Sequence, residues 1–412
     1  MGTGKTSAAI AYMNSHPDKR FVYVTPYLDE ANRIKTACPD LHFVEPSGKI
    51  PEYGFSKVSH TLDLLKKGRN ITTTHVAFTN YPIEAANIIR EQGYNLILDE
   101  SLSMLEKSDI SPSDFTIAIQ SGLLEKKDGM VVRGKTEYGD GLFSSLLKNA
   151  EHKRLIVVEE AGQDTTYLWA IPPTVLCSFS EVIIMTYLFE GQELSLYMRA
   201  NGIPYVYIGV EHSSSGFSFT DQTISDKELC KSVGSKIHIF DDYHWNSIGD
   251  DYNSLSKNWF MTKPDQVDSL RGKLGGYFNY VHKKDPNARG LWGTYTCGYS
   301  MLKGAGYSKL FLPFNARATN EYRDRDIIAY PCNVFANVRI KSVYDKMGAE
   351  LDQDQYALST MLQWIWRSAI RDGRDVDLYL PSSRMRDLLL RWTNGEFSIE
   401  GGETNERRNV SA

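Results

Sequence analysis

The first six residues, Met1-Gly-Thr-Gly-Lys-Thr6, carry the chemistry that is easiest to name. They fit the second half of a phosphate-binding loop, GxxxxGK[ST], with Gly4, Lys5 and Thr6 in its last three places. Gly2 and Gly4 let backbone N–H groups crowd around a polyphosphate, with those of Thr3 and Ser7 alongside. Lys5 neutralises charge on the β- and γ-phosphates, and the Thr6 hydroxyl ligates Mg²⁺. Ser7 to Met13 continues as a helix whose N-terminus faces the anion.

A second anchor is Asp99-Glu100, placed after the apolar run Tyr94–Leu98. Asp99 at such a strand end holds Mg²⁺, and Glu100 polarises an attacking water. A third lies near the other end, where Gln363, Arg367 and Arg371 are spaced by four in a helical window. That spacing stacks them on one face, with Leu362, Ile365, Trp366 and Ile370 turned inward. Arginines presented by a second domain to a nucleotide held by the first make hydrolysis depend on domain closure.

Strands alternating with helices must position these groups. Phe21–Thr25, Asn70–Thr74 and Tyr94–Leu98 read as strands, and Glu181–Met185 and Pro204–Ile208 follow after a blurred stretch. The second half offers Lys236–Phe240, Gly290–Tyr295, Lys309–Leu312, Asp326–Tyr330 and Val376–Leu380 as strands. Helices are expected over Pro264–Val281, Ala336–Met347, Asp354–Ile370 and Ser382–Trp392. Such alternation indicates an α/β fold with parallel sheets, whose ligands gather at the carboxyl ends of the strands. The expected division is a first domain over 1–210 with an insertion at about 101–163, a linker at Gly209–Gly216, a second domain over 217–394 and a loose tail over 395–412.

With 412 residues, 42% hydrophobic and 24% charged, the chain is long enough for two or three domains and ordinary in composition. A net charge of −5 argues against coating nucleic acid by bulk charge, but leaves room for a local basic groove. The 5 cysteines form no CxxC pair, so no zinc framework is legible and a reducing cytoplasm suits them. No apolar run is long enough to span a membrane, so no membrane partner is expected.

The order of parts resembles the motif series of superfamily 2 helicases, in particular bacteriophage-encoded DEAD/DEAH-like members. GTGKT and Asp99-Glu100 are its specific part; Thr25-Pro26, Thr74-His75, Thr186, Thr319-Asn320 and Gln363 with Arg367 match further motifs in order. The resemblance spans nearly the whole chain. It implies two tandem RecA-like P-loop NTPase domains with ATP and Mg²⁺ in the cleft between them. Single-stranded or partly duplex nucleic acid, DNA ahead of RNA, would cross both tops on Thr25, Pro26, Thr74, His75, Thr186, Thr319 and Asn320. It also implies an ATP-dependent helicase or translocase in phage or prophage replication or recombination, working in the host cytoplasm with replication proteins as partners.

The chain departs from that pattern in places. The family commonly writes QxxGRxxR, whereas Trp366 stands in place of the glycine and Arg371 lies four residues beyond Arg367. The motif's leading glycine and the strand feeding it would precede Met1, so the chain made alone is expected to be unstable or weakly active, and a version extended upstream to fold and hydrolyse ATP. Arg317, Arg323 and Arg325 form a basic cluster for phosphates or a solvated loop, and Trp364 and His75 have faces for stacking or for packing. Asp241, Asp242, Asp250 and Asp251 keep open a packaging-type, terminase-like ATPase with a C-terminal nuclease. A DNA-binding relative that binds nucleotide without hydrolysing it is a further alternative.

Overall fold

The computed structural model describes residues 3–127, 130–139, 141–159, 165–214, 216–316 and 321–398. Strands β1 (Arg20–Thr25), β2 (Ile71–Thr74) and β3 (Tyr94–Asp99) are parallel, β1 lying between the other two with Val22 opposite both Ile71 and Leu96. Their β-branched and aromatic runs are buried on both faces, as parallel strands under helices require. Alternation divides them cleanly. Val22, Val24, Leu96 and Leu98 enter one core, while Phe21, Tyr23 and Ile97 enter the other beneath helix α1 (Lys5–Asn14).

The insertion proves larger and more ordered than the sequence suggested. β4 (Leu105–Ser108), β5 (Leu124–Lys127), β6 (Met130–Arg133), β7 (Arg154–Val158) and β8 (Thr166–Ala170) form an antiparallel sheet in the order β4-β8-β7-β6-β5. It has its own small core, including Leu124, Leu147, Leu155 and Trp169. Strands such as Leu124-Glu-Lys-Lys127 bury one residue and expose three, so their pattern reads as turn rather than strand. β9 (Glu181–Met185) then returns to pair with β3 and completes the first sheet, β2-β1-β3-β9.

Two expectations reverse at the junction. Pro204–Ile208 is not a strand, because Tyr205 and Tyr207 both donate their hydroxyls to Glu190, at 2.8 and 2.6 Å, and are drawn onto that turn. The expected linker instead holds β10 (Gly209–Ser213) and β11 (Gly216–Thr220), an antiparallel hairpin with His212 opposite Phe217. Phe219 from this hairpin packs edge-on to Tyr12, at 5.9 Å between centroids, and joins the core that holds Ala9, Met13 and Ile183.

The second sheet is again parallel: β12 (Ile237–Ile239), β13 (Gly290–Trp292), β14 (Ile327–Ala329) and β15 (Val376–Tyr379), in the order β12-β15-β14-β13. Lys309–Leu312 is not a strand: Ser308–Leu310 is a 3-10 turn, and Phe311 makes one isolated bridge to Trp292. The four expected helices form as Pro264–Lys284, Val338–Lys346, Gln353–Ile365 and Ser383–Thr393. The division of the chain at about 210–217 follows the two parallel sheets but not every side chain: Phe219 joins a core of the first lobe and Tyr187 packs on that of the second. Ala336, Val343, Tyr344, Ala349 and Leu351 leave the second lobe and bury themselves in the core of the first. At the C-terminus Phe397 packs on the second core, which the expected loose tail did not foresee. Among the described residues no helix is long and apolar enough to cross a membrane.

Candidate functional site

Gly4 has φ 79°, a left-handed conformation at the start of α1 that favours glycine. A Cβ there would also meet the Phe217 ring at 2.2 Å. Ala8 N–H makes the first helical bond, to Gly4 O at 2.8 Å, so the N–H groups of Lys5, Thr6 and Ser7 have no partner within the helix. Thr3 precedes them in a bend, and Gly2 lies outside the described residues. The Lys5 ammonium sits 5.9 Å from the centre of the Tyr187 ring. Burial pulls its pKa down, while Asp99, Glu100 and Asp226 pull it up.

Asp99 closes β3, and Glu100 follows it at φ 63°, strained for a side-chain-bearing residue, with its N–H donated to Met185 O at 3.1 Å. Burial first, then the charges of Glu100 and Glu30, push the Asp99 carboxyl up to about 7; Tyr23 and Lys5 act the other way. His75 Nε2 donates to the Asp99 carbonyl at 2.9 Å and so ties down the end of the strand.

From the second lobe comes Arg367, whose Nη2 reaches Glu100 Oε1 at 3.3 Å. Its side chain is 4% exposed and that of Glu100 24%. Glu100 Oε2 and Arg367 Nε are buried without a hydrogen-bond partner in the structure. Both sides of the contact therefore keep unused bonding capacity. Gln363, 9% exposed, lines an adjoining polar pocket with Ser101, Ser103, Gln192, Asn315 and Thr360.

The helix behind this arrangement is shorter than its spacing predicts. It ends at Ile365, because Ser368 Oγ donates to Ile365 O at 2.6 Å and Ala369 N–H to Arg325 O at 2.8 Å, drawing the chain away from the helical path. Gln363, Arg367 and Arg371 therefore do not share a helical face. Arg371 sits in the 3-10 turn Ala369–Asp372, where burial and the neighbouring Arg367 and Arg323 lower its pKa and Glu30 raises it.

Several expected strand contacts serve the fold instead. Thr25 is fully buried, held inside β1 opposite Thr74, so its hydroxyl cannot reach a bound strand. The Thr74 hydroxyl accepts Ala77 N–H at 3.3 Å and caps the short helix His75–Phe78. Pro26 and Thr186 are half-buried at the carboxyl ends of β1 and β9. Thr319 and Asn320, like Arg317, lie outside the described residues. Arg323 is paired with Asp372 and Arg325 with Asp324, which neutralises most of the expected basic cluster. Trp364 is a core residue, its indole N–H donated to Leu312 O at 3.2 Å.

The four aspartates that left a nuclease open do not gather. Asp242 caps the helix Tyr243–Asn246 and Asp250 faces Arg386 at 4.0 Å. Among the described residues no three His, Cys, Asp or Glu side chains are grouped to hold a metal ion. Sequence reasoning missed Tyr23, Glu30, Tyr187 and Asp226 around Lys5 and Asp99. Only Tyr187 had a local signal, its place directly after Thr186.

Residues 231–393, which hold the second parallel sheet, match the family described as the YonV C-terminal Rossmann-like domain. Over 408 residues the chain is 34% identical to the SPbeta prophage-derived uncharacterized protein YonV of Bacillus subtilis (strain 168), covering 96% of this chain and 97% of the relative.

Proposed function

This chain belongs to the YonV family, and from that premise we propose that it is a nucleotide-driven motor on nucleic acid, built on two RecA-like lobes of the superfamily 2 helicase type. The observation that carries the reading is the reach of Arg367 from the second lobe to Glu100 beside Lys5 in the first. A prophage relative is in keeping with a role in phage DNA replication or recombination in the host cytoplasm.

ATP with Mg²⁺ fits the groups present. The free N–H groups at the start of α1 receive phosphate oxygens, and Lys5 supplies the positive charge beside them. Thr6 and Asp99 would hold the Mg²⁺, which supplies charge neutralisation at the phosphates. The unpartnered Glu100 Oε2 accepts a proton from an attacking water, and the unpartnered Arg367 Nε is available to the charge that builds on the phosphoryl oxygens. Arg371 adds positive potential to the same wall, whereas Gln363 lies in the adjoining pocket. Nucleic acid would run over the carboxyl ends of the strands, near Pro26, His75 and Thr186. Backbone and hydroxyl contacts there are independent of base sequence.

Phosphate release from ATP, with and without single-stranded DNA or RNA, tests the proposal. Hydrolysis stimulated severalfold by single strands and abolished in Lys5→Ala and Glu100→Gln is the expected result. Nucleotide binding with no turnover under any condition would instead identify a non-hydrolysing relative. No nucleotide binding at all overturns the reading.

A further inference from the structure

Lys5 has a neighbour besides the carboxylates at the end of β3. The Tyr187 ring lies 5.9 Å from its ammonium, and the Tyr187 hydroxyl donates to Asp226 Oδ2 at 2.5 Å while accepting from Trp392 Nε1 at 2.8 Å. Tyr187 follows the last strand of the first sheet, yet its side chain packs with the core of the second lobe. Asp226 immediately precedes the helix Lys227–Gly234 but its side chain caps none of that helix's N–H groups. Its carboxylate is turned to Tyr187 instead.

We propose that Asp226 is a positioning residue of the phosphate loop, acting on Lys5 by way of the Tyr187 ring from the side of the second lobe and giving way when phosphates arrive. The inference rests on the nucleotide reading above. The Tyr187 ring stands between the Lys5 ammonium and the Asp226 carboxylate, so a carboxylate of the second lobe acts on the same charge as Asp99 and Glu100 of the first. Asp99 and Glu100 have other work with Mg²⁺ and water; Asp226 has none. A nucleotide's phosphates need the same ammonium and repel the same carboxylate, so binding sets Asp226 and the phosphates in competition. Displacing Asp226 leaves the Tyr187 hydroxyl only the weaker Cys230 Sγ, at 3.6 Å, and so loosens the hydroxyl that Trp392 binds on the helix Ser383–Thr393. Phosphates thus push on the second lobe at Asp226 while they attract it at Arg367, a pair of forces that turns one lobe against the other.

Titration calorimetry of the full chain with MgATP and with pyrophosphate, for wild type, Asp226→Asn and Asp226→Ser, tests this. Loss of the competing charge is expected to tighten binding by about tenfold in both variants. In wild type, tryptophan emission should change on nucleotide addition, and Trp392→Phe should remove that change. Equal or weaker binding in a folded Asp226 variant overturns the proposal, as does nucleotide binding by wild type without the Trp392 signal. Failure of wild type to bind either ligand overturns the nucleotide reading itself, a distinguishable result.

Discussion

Arg367 and Glu100 are 267 positions apart in the chain and meet at 3.3 Å across the cleft between the two sheets. The arginine is almost wholly withdrawn from water, and its position is fixed by a turn, not by a helix. Under the proposed nucleotide reading, an arginine so placed would act on charge that develops during phosphoryl transfer, not on the resting substrate. Arg367→Ala is therefore expected to lower ATP turnover by about a thousandfold or more while nucleotide affinity changes only severalfold. Single-turnover phosphate release beside equilibrium binding separates the two. Arg367→Lys should not rescue turnover, since a compact ammonium cannot both reach Glu100 as Nη2 does and set a donor where the unpaired Nε lies in the planar fork.

Asp99 gives the nucleotide-free protein a pH signature. Its folded value of about 7 lies above the ordinary carboxyl value of 3.8, so folding favours the neutral form. The stability this contributes is complete below about pH 4 and is lost as pH rises towards 7. Asp99→Asn stays neutral throughout. It should match wild type near pH 4 and be more stable, by up to about 4 kcal/mol, near pH 8. Melting temperatures across that range check it, and a variant less stable than wild type at pH 8 contradicts it.

Gly4→Ala should be strongly destabilising even though it adds a single methyl group. The left-handed φ of 79° is costly for alanine, and the new Cβ would lie 2.2 Å from the Phe217 ring. A loss of about 2–4 kcal/mol is expected, with nucleotide binding impaired. Phe217→Ala in the same chain should relieve the steric part and leave the backbone part. A double-mutant cycle by denaturant unfolding measures the difference.

Glu193 pins three segments together. It accepts from Ser103 Oγ at 2.6 Å, from the N–H groups of Met104 and Leu105 at 3.0 Å each, and from Tyr344 Oη at 3.1 Å. Tyr344 belongs to the stretch that crosses from the second half of the chain into the first core. Glu193→Ala leaves the Met104, Leu105 and Tyr344 donors unmatched, while Ser103 Oγ still has Leu105 O at 2.7 Å, and should cost about 3–5 kcal/mol. Glu193→Gln keeps one acceptor oxygen and should lose less. Chemical denaturation of both variants tests the ordering.

The sequence by itself determined what depends on near neighbours. Lys5 and Thr6 open a helix because Gly4 precedes them, and Val22 or Leu96 declare buried parallel strands by a run of apolar residues that any window displays. The two α/β halves and their parallel sheets follow from such local signals. Tertiary structure alone decided the rest, because it rests on pairings that no window contains. The helix bearing Gln363 stops short since Arg325, 44 positions before Ala369, offers it a carbonyl. Thr25 and Thr74 look alike as strand-end hydroxyls, yet one is buried and the other caps a helix. Asp226 carries no signal of its own in the sequence, and only the fold brings to it the Tyr187 hydroxyl that Trp392 also binds. A carboxylate's role is set by the charge and burial around it, and those are properties of the folded chain.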